Sequence, residues 1–233
     1  MAITINSEAT GTDSDLGSTA SVTKPATVSN DDYLVCIFGI ASSVVSAAPN
    51  PPADWTTGAE QLFTTGNDVS IGIYYKKVTD AASEPASYTF TNGTGTSAAW
   101  WIGALSGIDL TTPEDETMSG NWANRTDDTS PLAATITTVT ADAFVLAAYA
   151  TNFDSATTLN AEWSSRADDV NPGSLICVNV MSTIKVAAGA TTGVDISAVA
   201  ANQESIAGQF AFRPASGAAV RMVPRRMLVG VGS

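Results

Sequence analysis

The chain has 233 residues, 44% hydrophobic and only 14% charged, with a net charge of −13 and no histidine. That length fits one or two domains, and a composition led by Ala, Val, Ile, Thr and Ser leans toward strands rather than helices. The charge disfavours nucleic acid and anionic membrane as partners, and the missing histidine excludes Ser-His-Asp and Cys-His centres and every His-based metal site.

The N-terminus, Met1 to Asn6, carries neither a basic region nor an apolar stretch of signal-peptide length, and nowhere are there 18 consecutive apolar residues. The expectation is a protein made and retained in a cytoplasm unless it leaves as part of a larger particle. Residues 7–18 are small and polar and read as a loop after a short first strand, so 1–18 is taken as an N-terminal arm. Strand-like runs follow at Ser21 to Thr23, Tyr33 to Ile40, Val69 to Val78, Ser87 to Thr91 and Ala98 to Ile108. A second series runs through Ala134 to Val139, Ala143 to Thr151, Leu175 to Val186, Val194 to Val199 and Ile206 to Phe212. Short strands separated by Gly, Pro, Asn and Asp turns predict an all-β sandwich or barrel.

The two series line up. Asp32 precedes a hydrophobic strand, Trp55 follows in a loop, and Lys77-Val78 closes the next strand; Asp142, Trp163 and Lys185-Val186 repeat that order. The offset, close to 108 residues, is too long for a solenoid and indicates an internal duplication with halves at about 19–110 and 132–213. Strands this rich in Ala and Gly make a thin core, so the two halves are expected to share one sandwich rather than fold separately.

Cys36 and Cys177 each sit inside an apolar run and read as buried free thiols, with a disulfide as the alternative. Glu114-Asp115-Glu116 follows Pro113 in the segment joining the halves and reads as a solvated linker, not a glycosidase pair. Asp127-Asp128 and Asp168-Asp169 read as loop residues without a calcium motif. No Walker-type or dinucleotide-binding loop is present, no cofactor is implied, and the chain is expected not to be an enzyme.

Several landmarks resemble a family of phage- and bacterium-encoded β-sandwich virion proteins of the jelly-roll type. They are the strand start Asp32-Tyr33-Leu34-Val35, the Pro-rich approach Pro49-Asn50-Pro51-Pro52-Ala53-Asp54-Trp55-Thr56, and the strand end Tyr74-Tyr75-Lys76-Lys77-Val78. Ser83 to Thr91 and the closing Ser106-Gly107-Ile108-Asp109 extend the likeness, which covers roughly residues 19–213. The resemblance implies a virion structural protein without catalytic residues. A capsid decoration or cement protein is the expected role, with the major capsid protein or other virion proteins as partners and a homo-oligomer as its form.

Two features lie outside that pattern. Arg213, Arg221, Arg225 and Arg226 fall in the last 21 residues, which hold no acid; residues 1–212 thus carry −17 and the remainder +4. Residues 214–233 combine the last three of these arginines with Met222, Met227, Leu228 and four valines, as expected, together with Arg213, of a basic apolar arm that binds a partner. Tryptophan is the other feature. Trp55 and Trp163 occupy matching loops and are expected to pack, whereas Trp122 in the linker, or one of the adjacent Trp100 and Trp101, is the candidate surface contact. Such a ring supports the alternative function, a tail or fibre module that recognises host-surface glycan.

Overall fold

The computed structural model describes residues 2–14, 19–42, 48–63, 68–91, 97–126, 131–152, 162–170, 176–195 and 204–216. Among them every regular element is a strand, and the protein is an all-β sandwich. The first unit is a five-stranded antiparallel sheet. It is built from β1 (Thr4–Asp13), β3 (Tyr33–Ser42), β4 (Thr56–Phe63), β5 (Asp68–Lys77) and β7 (Ser97–Ser106) in the order β1-β7-β3-β5-β4. A ribbon of β2 (Thr19–Thr23) and β6 (Ser87–Thr91) lies over its outer face. The second sheet contains β8 (Trp122–Thr126), β11 (Ala143–Thr151), β12 (Ser164–Val170), β13 (Cys177–Lys185) and β16 (Glu204–Phe212), in the order β12-β13-β11-β16-β8. Its outer ribbons pair β9 (Leu132–Ala133) with β15 (Val194–Asp195), and β10 (Thr137–Thr138) with β14 (Gly189–Ala190).

The central strands are apolar on both faces because both faces are covered. One core lies between the sheets and takes Val35, Ile37, Ile73 and Trp101 from the first and Leu146, Val178, Phe210 and Phe212 from the second. The halves therefore share one sandwich, as their composition led us to expect. A second core, with Leu34, Phe38, Tyr74 and Phe90, fills the space under the β2–β6 ribbon, and a third, with Val145, Tyr149 and Met181, lies on the opposite outer face. Cys36 belongs to the second core, and Cys177, two residues before Asn179 and adjacent to the inward Val178, faces away from the centre. Two sheets separate the thiols, and no disulfide joins them.

The duplication is reproduced strand for strand, since β1-β7-β3-β5-β4 maps onto β8-β16-β11-β13-β12. Even an irregularity repeats: the β4–β5 register shifts between Thr57 and Ala59, and the β12–β13 register shifts between Ser165 and Ala167. Thr56 faces Tyr75 and Ser164 faces Ser182, which equates Trp55 with Trp163 and Tyr75 with Ser182. Both tryptophans are buried against outer faces, as matching positions required.

Other sequence landmarks shift by one. The inward Tyr33 corresponds to the inward Phe144, so the partner of Asp142 is Asp31, not Asp32; both adopt a left-handed turn, at φ 66° and 59°. Aspartate tolerates that conformation because its short side chain bonds locally. Lys77 pairs with Tyr33 whereas Lys185 pairs with Ala143, which puts the two lysines on opposite faces of their sheets.

Two boundaries also move. Residues 4–13 are a full strand on the β7 edge rather than an arm, because their backbone completes a ladder from Thr4–Ser106 to Asp13–Ala98. The second unit begins at Trp122, since β8 pairs with β16 over Glu204 to Gly208.

Candidate functional site

The starts of β3 and β11 and the ends of β5, β7, β13 and β16 meet at one end of the sandwich. Here the segment after β7 runs antiparallel to the end of β16. Asp109 N–H donates to Arg213 O at 2.9 Å, Arg213 N–H to Pro113 O at 2.8 Å, Asp115 N–H to Ala211 O at 2.9 Å, and Ala215 N–H to Gly107 O at 2.7 Å. The acidic triplet is part of this seam. Asp115 is buried, and its carboxylate accepts from the Val139 N–H at 2.7 Å, the Thr140 N–H at 3.1 Å and the Thr140 hydroxyl. The expectation of a solvated linker fails for Asp115, since its oxygens satisfy the backbone that leads into β11. Glu114 accepts from the Tyr75 hydroxyl at 2.6 Å, across the sheets.

Glu116 is half-buried; loss of solvent raises its pKa to about 7 against an ordinary 4.5, the Asn121 amide at 2.6 Å opposes the rise, and Glu114 and Asp115 add to it. A raised carboxyl pKa contributes stability that is complete below about pH 4.5 and is lost as the pH climbs through 7. Glu116→Gln is therefore expected to match the parent at pH 5 and exceed it by about 1 kcal/mol at pH 8, after discounting for solvent screening. Urea unfolding at the two pH values reads this directly, and an equal difference at both would remove Glu116 as the cause.

Arg213 lies in the seam, not in a free arm. Its guanidinium Nε is 3.7 Å from Asp115 Oδ1, an ion-pair distance too long for a hydrogen bond, and its Nη2 donates to Asp115 O at 3.4 Å. Arg221, Met222, Arg225, Arg226, Met227 and Leu228 lie outside the described residues, as do Leu175, Asp127, Asp128 and residues 196–199. Among the described residues no group of three or more acidic or sulfur ligands is placed to hold a metal.

The structure buries the three tryptophans read as surface contacts: Trp100 is 5% exposed, Trp101 0% and Trp122 7%. As strand alternation requires, the adjacent pair splits between two cores. Trp100 stacks on Phe38 with ring centres 5.8 Å apart, and a Cβ on Gly11 would come within 2.4 Å of its ring. Trp122 is in the central core because β8 is a sheet strand, and its ring centre is 4.4 Å from that of Phe210.

Among the described residues, three clefts open at this end. One of about 430 Å3 lies among Asp109, Thr140, Asp142, Arg213 and Ser216. Two others, of about 320 and 490 Å3, share Glu162, Thr183 and Ile184 along the end of β13. Exposed apolar side chains flank them: Leu110, Val139 at 60%, Ile184 at 37% and Val186 at 73%. Nothing in the residue pattern announced these clefts, whose lining comes from segments distant in sequence. No family model, curated protein or solved structure matches the chain.

Proposed function

We propose that the chain is a non-enzymatic virion structural protein, a capsid decoration or cement protein, attached to the major capsid protein or another virion protein. Its observational support is the division of charge: a −17 body packed into a three-core sandwich, followed beyond Ser216 by a segment with three arginines and no acid. A sandwich whose aromatics are committed to packing offers a rigid body, and the basic apolar segment and open sheet edges offer attachment. Glycan recognition through Trp122, Trp100 or Trp101 loses its platform, because stacking on a sugar needs an exposed ring face. Deleting residues 217–233 is expected to reduce the copies in purified particles from hundreds to near none. Full occupancy by the truncated chain would refute attachment through this segment.

A further inference from the structure

The repeat makes each unit a reference for the other. The register shift between Thr57 and Ala59 leaves Gly58 as the extra residue of β4, and the matching shift between Ser165 and Ala167 leaves Arg166 as the extra residue of β12. A bulge of this kind re-aims the side chain it carries. In the first unit there is none to aim. A Cβ on Gly58 would come within 2.8 Å of Met118 Sδ, and Met118, from the segment after β7, is buried in the central core. In the second unit the same position holds an arginine. Its Nε donates at 2.7 Å to the Oγ of Ser182, which stands where the first unit has Tyr75. A cleft of about 320 Å3 opens beside this pair, lined by residues from the starts of β1 and β12 and the end of β13.

Two sets of donors are unspent there. The Nε contact ties down the guanidinium, and neither Nη has a partner among the described residues. Ser182 is 2% exposed; its oxygen accepts from Arg166, and its own proton has no acceptor among the described residues. A partly buried guanidinium and a buried hydroxyl in this state favour a ligand that accepts from both.

We propose that the cleft beside Arg166 binds an acidic monosaccharide, a sugar carrying one carboxylate. The two Nη groups form the fork that a carboxylate accepts in pairs, and the Ser182 hydroxyl is a third donor. Residues 1–212 carry −17 and Glu162 also borders the cleft, so a single negative charge is accommodated better than the two of a phosphate. The rest of the wall suits a sugar ring. Thr4, Ser164 and Thr183 contribute residues with hydroxyls, and Ile5, Phe144 and Ile184 an apolar side, around a volume at the small end of ligand pockets. This recognition needs no exposed aromatic ring, so it is compatible with buried tryptophans. It goes beyond the attachment reading and does not rest on it.

Titration of glucuronic acid and of N-acetylneuraminic acid into the isotope-labelled full chain at pH 7, followed by NMR, tests the proposal. At least one of the two is expected to bind with a Kd on the order of 1 mM and to shift the amides of Ser164, Arg166, Ser182 and Thr183 most. Arg166→Ala should raise that Kd at least about tenfold, and Arg166→Lys, which keeps the charge without the fork, should also weaken binding. The ligand-free spectra report whether each variant is folded, and the parent's shift map decides the matter if one is not. Glucose and acetate should leave the same amides unmoved at equal concentration. No shift at these amides with either acid, an unchanged Kd in folded Arg166→Ala, or equal binding by glucose or acetate would each overturn the proposal. Equal binding by a glutamate blocked at its amino and α-carboxyl groups would overturn it too, and would assign the cleft to an acidic side chain of a partner protein. Failure of sugar binding leaves attachment to a capsid standing, because that reading is measured on particles.

Discussion

Replacing Trp101 with alanine is expected to lower stability by about 4 kcal/mol, a large share of the roughly 5–15 kcal/mol typical of a folded protein. Trp101 is wholly buried in the core between the sheets, and its indole N–H donates to Glu8 Oε2 at 3.0 Å on the neighbouring strand. The surroundings are built around the ring: a Cβ on Gly103 would lie 2.6 Å from it. The second unit fills the same level differently. There Gly208 takes the place of Trp101, opposite Ala148 as Trp101 is opposite Ile37, and Trp122 arrives from the adjacent strand where the first unit has Thr10. A Cβ on Gly208 would come within 2.7 Å of the Trp122 ring, so this glycine is required by the close approach. Urea unfolding of Trp101→Ala with an unchanged m-value measures the cost; a loss under about 1.5 kcal/mol would mean that the core relaxes into the cavity.

Asp115→Ala is expected to cost about 3 kcal/mol, chiefly from the Val139 and Thr140 N–H groups left without their acceptor in a buried seam. Asp115→Asn retains one acceptor oxygen and should cost roughly half as much. Hydrogen exchange separates a local from a global effect: the Val139 and Thr140 amides should lose protection in the alanine variant before those of β11 do. Unchanged exchange at both amides would contradict the proposed role of the carboxylate. The seam also joins the two units, because the segment carrying Asp115 is bonded to residues 211–215, so loosening it should weaken the hold on the chain leading to Ser216.

Much of the architecture was legible in the residues. Alternation at Ser87 to Thr91 and apolar runs such as Ala143 to Thr151 located strands, because a face that is buried must be apolar with the period of the backbone. Trp55 and Trp163 marked the duplication correctly. The Asp and Lys landmarks did not, since equal spacing along the chain ignores the face on which a residue falls, and one residue of slip reverses it. β4 and β12 went unread because, as edge strands, they carry polar residues such as Thr56, Glu60, Ser164 and Arg166. Trp122 was misplaced for the same reason: Trp122-Ala-Asn-Arg-Thr126 is too short and polar to announce a strand, and only pairing with β16 buries its ring.

The sequence by itself determined the all-β class, the two-fold repeat, the exclusion of histidine chemistry and the separation of basic tail from acidic body, since these follow from residue types and local periodicity. Only the tertiary structure decided that the halves share a core, that Trp100, Trp101 and Trp122 are buried and that Asp115 is a buried acceptor. Each of these depends on strands distant in sequence meeting in a particular register, and register is set by the packing of whole sheets rather than by any short run of residues.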